Sequence, residues 1–213
     1  MLEYRLTPHQ AGVALWGDSA ALVRLHEFIH HVVEECDQIE DKEGFVISLA
    51  YDIRKAYQGQ RSQDFRDHPE TDRCSIYGVE LLWPLLLVQV GVLRQAMAFM
   101  PTNKLDQAIM FEFEFVVECA VREAMPITAD EVIHRIRQLG CTSYIHLDKV
   151  LDGRCRYFIE LPANKRLKVL PRLMETFDPM YELLAGTGRI TRAGYIAPEA
   201  FELDGQFWPD FEW

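Results

Sequence analysis

The chain has 213 residues, of which 49% are hydrophobic and 26% charged, and carries a net charge of −11. That is enough apolar material for one sizeable buried core, and it excludes a disordered chain. The acidic balance argues against general nucleic-acid affinity, which needs accumulated Lys and Arg. Cys36, Cys74, Cys119, Cys141 and Cys155 form no C-x-x-C pair, so neither a zinc ribbon nor a redox motif is written here. Free thiols and an N-terminus, MLEYRLTPHQ, without a basic region before an apolar one point to the cytoplasm.

In chain order, LEYRLTP and GVALWG suit two short strands joined around His9–Gly12, an N-terminal β-hairpin. Asp18 or Ser19 then caps a helix to about Cys36, and FVISLAYDIRKAYQG repeats its apolar residues at a helical period. The polar, proline-containing stretch 60–75 reads as a surface loop. Residues 81–99 are apolar on nearly every side. Pro84, Gln89, Gly91, Arg94 and Gln95 interrupt them, so a buried central helix fits better than a membrane span. Thr102 or Asn103 caps a second long helix, KLDQAIMFEFEFVVECAVREA. The short link Pro101–Asn103 makes 81–124 a central antiparallel helix hairpin. Thr128 opens a shorter helix that Gly140 stops. Asp152-Gly153 is a strong two-residue turn signal, so 142–161 reads as a second β-hairpin. Pro162 and Asp178-Pro179 start further helices, and 187–213 is an irregular aromatic-acidic tail ending FWPDFEW. The expected fold is α+β with a mainly helical core, in a single globular domain over 1–213, the tail packing on the body or a partner.

One short stretch names a chemistry. His26-Glu27-Phe28-Ile29-His30 has the H-E-x-x-H pattern of zinc peptidases. Residues i and i+4 share a helix face, so two imidazoles can meet one tetrahedral ion while the glutamate acts as general base on its bound water. In that reading His26 and His30 bind zinc and Glu27 is catalytic. Three features weigh against it: the helix comes too early to follow a substrate-holding sheet, Arg24 departs from the pattern, and no downstream third ligand presents itself. Asp52, at a plausible spacing, points away from the apolar stripe of its own helix. On a helical wheel His26 lies inside an apolar stripe and His30 at its border. A core-facing His26 needs a hydrogen-bond partner, such as a backbone carbonyl or Glu112.

Other constellations are weaker. Glu27-x-x-His30 and Glu131-x-x-His134 match the E-x-x-H pairs of di-iron bundles, and Glu112 falls among Leu105, Ile109, Val116 and Ala120 on what should be a core-facing stripe. There it demands a partner, with a salt bridge or hydrogen bond ahead of catalysis. In the expected second hairpin, His146 and Asp148 are neighbours on one face, without a nucleophile elbow. Residues 122–172 hold ten Lys and Arg against six Asp and Glu, in a helix-then-hairpin order reminiscent of a winged helix. The leading expectation is a cytoplasmic protein with no evident catalytic machinery, no cofactor and no membrane span. It acts through contact with a protein partner or by self-association as a homo-oligomer. The alternatives are a zinc-dependent hydrolase on His26, Glu27 and His30, and a nucleic-acid-binding module in 129–172.

Overall fold

In the computed structural model, which describes residues 1–67, 73–139, 141–187, 195–202 and 208–213, the chain is a mainly helical α+β fold. Strands β1 (Leu2–Leu6) and β2 (Gly12–Gly17) form the N-terminal hairpin, register Leu2 to Gly17 through Leu6 to Val13. Thr7 closes the turn. Its hydroxyl donates to the Gly12 carbonyl and accepts from the Gly12 amide, both at 3.0 Å. Helix α1 (Ser19–Glu35) begins where Asp18 accepts from the Ala21 amide at 2.8 Å. Helix α2 (Phe45–Tyr57) packs against it.

Strands β3 (Ser62–Arg66) and β4 (Cys74–Leu82) follow, and the antiparallel sheet has the order β1-β2-β4-β3. The stretch 60–75, expected to be loop, therefore contributes β3 and the start of β4. The signal is weak because no side chain of β3 is fully buried, so it shows no apolar alternation. Val13, Leu15, Val79 and Leu81 turn one face of the sheet to the core. Arg5, Trp16 and Asp64 lie on the other, where the Arg5 guanidinium sits 4.1 Å from the Trp16 ring and 2.7 Å from Asp64.

Helix α3 (Trp83–Ala96) is buried nearly all round, and Gln89 is satisfied by the Phe45 carbonyl at 2.7 Å. No helix among the described residues is long and apolar enough to cross a membrane. Helix α4 (Lys104–Ala124) starts at a reciprocal capping box between Asn103 and Asp106. The two helices run antiparallel: Arg94 meets Gln107 and Glu114, and Leu86 lies with Phe113 and Val117 in one apolar region of the core. Their backbones stay apart, α3 packing on α5 (Ala129–Leu139) and α6 (Tyr144–Glu160), and α4 on β1 and α5. Helices α7 (Ala163–Glu175) and α8 (Met180–Gly186) and a 3₁₀ turn at Pro198–Phe201 complete the described elements.

The expected second β-hairpin at 142–161 is instead α6, one helix capped by Ser143, whose hydroxyl accepts from the His146 amide. Gly153 is the reason for the difference. It is there for space, not for a turn. A Cβ at that position would stand 2.6 Å from the Phe201 carbonyl oxygen, so glycine lets the 3₁₀ turn lie directly on the helix. Apolar positions Leu147, Val150, Leu151, Phe158 and Ile159 recur at helical spacing along the same segment and are buried.

Candidate functional site

His26 and His30 do share a face of α1, with ring centroids 4.5 Å apart. Tyr57 meets His26 edge-on at 5.7 Å, and Tyr51 meets His30 at 6.2 Å. Among the described residues no group of three His, Cys, Asp or Glu could hold a metal ion. Asp52 is engaged by Arg61 at 3.0 Å, and Glu27 is exposed. The Arg54 guanidinium brings positive charge to the pair, which disfavours a divalent cation there. Di-iron chemistry has no better support: Glu131 and His134 lie on α5 and join no such group.

What satisfies His26 also differs from expectation. Its Nε2 is buried and has no hydrogen-bond partner among the described residues, and Glu112 is committed elsewhere, accepting from the Leu2 amide at 2.8 Å. Burial, His30 and Arg54 lower the His26 pKa, while Glu27 opposes the shift. His146 is lowered too, by burial, Arg154 and Lys149 against Glu182 and a hydrogen bond with Phe177. Asp148 is not its partner. The carboxyl lies in an acidic neighbourhood with Asp41 and Asp152, and burial followed by those charges raises its pKa. Two positions apart on a helix, the two side chains diverge.

Both depressed histidines act on stability in one direction. Below the ordinary histidine pKa of about 6.5 the unfolded chain takes up protons that the folded chain refuses. Their contribution is complete above that value and is lost as pH falls. Denaturant midpoints should therefore drop between about pH 7.5 and 5.5, and less steeply in His26→Gln/His146→Gln. Parallel pH profiles for the two proteins would contradict this.

The arginines of 122–172 are engaged within the fold. Arg135 and Arg172 both meet Glu175, Arg137 meets Glu118, and Arg156 meets Glu160. Arg154 and Arg166 are buried, and Arg122 holds Asp130. With the hairpin gone, the wing of a winged helix is gone as well.

The most unusual surface lies on α4. Ile109, Met110, Phe113, Val116, Val117, Ala120 and Val121 form its buried side. Leu105, expected in that stripe, is instead 58% exposed, with Phe111 at 61% and Phe115 at 68%. Together with Ala108 these fall within about 120° of the helix, an apolar row facing outward. The FEFEF run carried the signal: alternate residues of a helix cannot share a face, so burying Phe113 turns Phe111 and Phe115 outward. Arg94 borders the row, 4.7 Å from the Phe111 ring and bound to Glu114 at 2.7 Å.

Each edge strand of the sheet has one amide taken by a carboxylate. Glu112 takes the Leu2 amide of edge strand β1, and Asp64 takes the Phe65 amide of edge strand β3 at 2.8 Å. At the C-terminus the Trp213 carbonyl accepts from the His9 amide at 2.8 Å, and Phe211 and Trp213 pack against the core.

No curated protein and no solved structure matches the chain. A family model described as Domain of unknown function (DUF6904) matches residues 2–213, and the chain belongs to that family.

Proposed function

We propose that the protein works through protein–protein contact, as a homodimer joined by the outward face of α4. The observation that carries this is the exposed row Leu105, Phe111 and Phe115 on one helix. Its exposed apolar area is about 350 Å², the size that marks contact surfaces on soluble proteins. Two copies together contribute about 700 Å² before the polar flanks are counted, within reach of a standard interface of roughly 1,200–2,000 Å². Charge supports a second copy as the occupant. Lys104 and Glu118 each stand seven residues from Phe111. An antiparallel pair of α4 helices centred on Phe111 sets each lysine beside the other copy's glutamate.

The test is Phe111→Ser/Phe115→Ser. The variant should be monomeric, with weakening of at least a hundredfold, because two central aromatic anchors are lost. Its thermal midpoint extrapolated to low concentration should match that of the wild type, since neither side chain is buried in the monomer. An unchanged association constant would refute the α4 interface.

A further inference from the structure

The C-terminal segment forms one wall of a cleft. β4 runs from Cys74 to Leu82, but β3 pairs only with Cys74–Gly78, leaving one flank of Val79–Leu82 without a strand among the described residues. Trp208, Phe211 and Trp213 line a cleft of about 300 Å³ against that flank, together with Leu85, Asp52, Arg61 and Glu80. The Phe211 and Trp213 ring centroids are 4.9 Å apart and their planes are inclined by 60°. Trp208 is 46% exposed. The wall is held in place: the Trp213 carbonyl accepts from the His9 amide, and the Glu212 carbonyl accepts from Arg166 at 3.0 Å.

The cleft's charges are equally specific. Among the described lining residues the cation is Arg61, occupied by Asp52 at 3.0 Å, and just outside the lining the Arg166 guanidinium stands 6.0 Å from the Phe211 ring centroid. Glu80 is exposed and forms no ion pair among the described residues. Asp210 and Glu212 add negative charge on the segment that forms the wall. The negative face of an aromatic ring attracts an ammonium ion, most strongly when the ion sheds water easily, as alkylated ammonium does. A carboxylate at the rim completes the attraction, and the same charges repel anions. We propose that this cleft binds an alkylammonium group, with Trp208, Phe211 and Trp213 as its ring faces and Glu80 as its counter-charge. That chemistry occurs in small quaternary amines and in methylated lysine side chains.

The full-length protein should be titrated calorimetrically with choline, with a short peptide containing Nε-trimethyl-lysine, and with 3,3-dimethylbutan-1-ol, the uncharged isostere of choline. Saturable binding is expected for at least one cation, with the neutral alcohol about tenfold or more weaker. Binding of choline alone identifies a small amine as the source, and binding of the peptide alone or more tightly identifies a protein side chain. Trp208→Ala should weaken the bound cation about tenfold with an unchanged melting temperature, and Glu80→Gln should weaken it several-fold. Equal binding of the neutral isostere, no saturable binding of either cation, or full affinity in Trp208→Ala overturns the proposal.

Discussion

Arg154→Met is expected to cost about 3 kcal/mol of stability and to lower the melting temperature by about 6–12 °C. The guanidinium is buried in α6 and donates both to its own helix and to the end of α7. It donates to the Thr176 carbonyl at 2.7 Å, to the Thr176 hydroxyl at 3.0 Å and to the Val150 carbonyl at 3.2 Å. Its plane also faces Phe201 at 4.6 Å and Phe177 at 5.5 Å, tying the 3₁₀ turn and the end of α7 to α6. Glu182, at 3.5 Å and more than half exposed, is its only carboxylate partner among the described residues. Burial accordingly lowers the Arg154 pKa, with Glu182 opposing. Methionine fills much of the volume but leaves Thr176 oxygens without donors in an interior that water does not reach, which is where the cost arises. Lysine should rescue less than half of the loss, because one ammonium cannot reproduce the planar fork. A chemical denaturation midpoint within error of the wild type for Arg154→Met would contradict this.

Arg166→Met is expected to cost about 2–3 kcal/mol and, unlike Arg154→Met, to free the C-terminus. Arg166 is 5% exposed and donates to four backbone carbonyls: His9 at 2.9 Å, Glu212 at 3.0 Å, Ile159 at 2.9 Å and Leu161 at 3.2 Å. The N-terminal turn, the last turn of α6 and the final residues therefore meet on one side chain. Without it, the His9 amide loses the geometry of its bond to the Trp213 carbonyl, and the cleft wall loses its anchor. Hydrogen exchange gives the readout: the His9 amide should exchange at the rate of an open loop in the variant, while the α3 core amides stay protected. Protection at His9 equal to the wild type would show that the terminus docks independently of Arg166.

Much of the fold is legible in the sequence because core-facing residues announce themselves. Asp18 and Asn103 mark helix starts through their side-chain bonds to following amides, and the apolar surround of 83–96 predicts a helix buried on all sides. The misread elements share a different feature. At Asp152-Gly153 the glycine answers a contact with Phe201, which lies far along the chain, so local turn chemistry gives the wrong answer. Strand β3 is held by pairing with β4 and by ions, Arg5 on Asp64 and Arg66 on Glu3, so it has no apolar period to detect.

The candidate surfaces were concealed for the same reason. His26, Glu27 and His30 carry a recognisable spacing, yet a metal site also needs a ligand from another element, and only tertiary structure tells whether one arrives. Phe111 and Phe115 were visible as residues, but their direction depends on which side of α4 meets β1. The aromatic cleft depends on β4 outrunning β3, which the sequence does not show.

Sedimentation velocity of the wild-type chain over a range from about 1 to 100 μM tests the central claim most directly. A dimer near twice the 24.7 kDa chain mass, populated reversibly with rising concentration and abolished by Phe111→Ser/Phe115→Ser, is the predicted result. A wild-type chain that remains monomeric at the upper end of that range, or a dimer that the double substitution leaves intact, would contradict it.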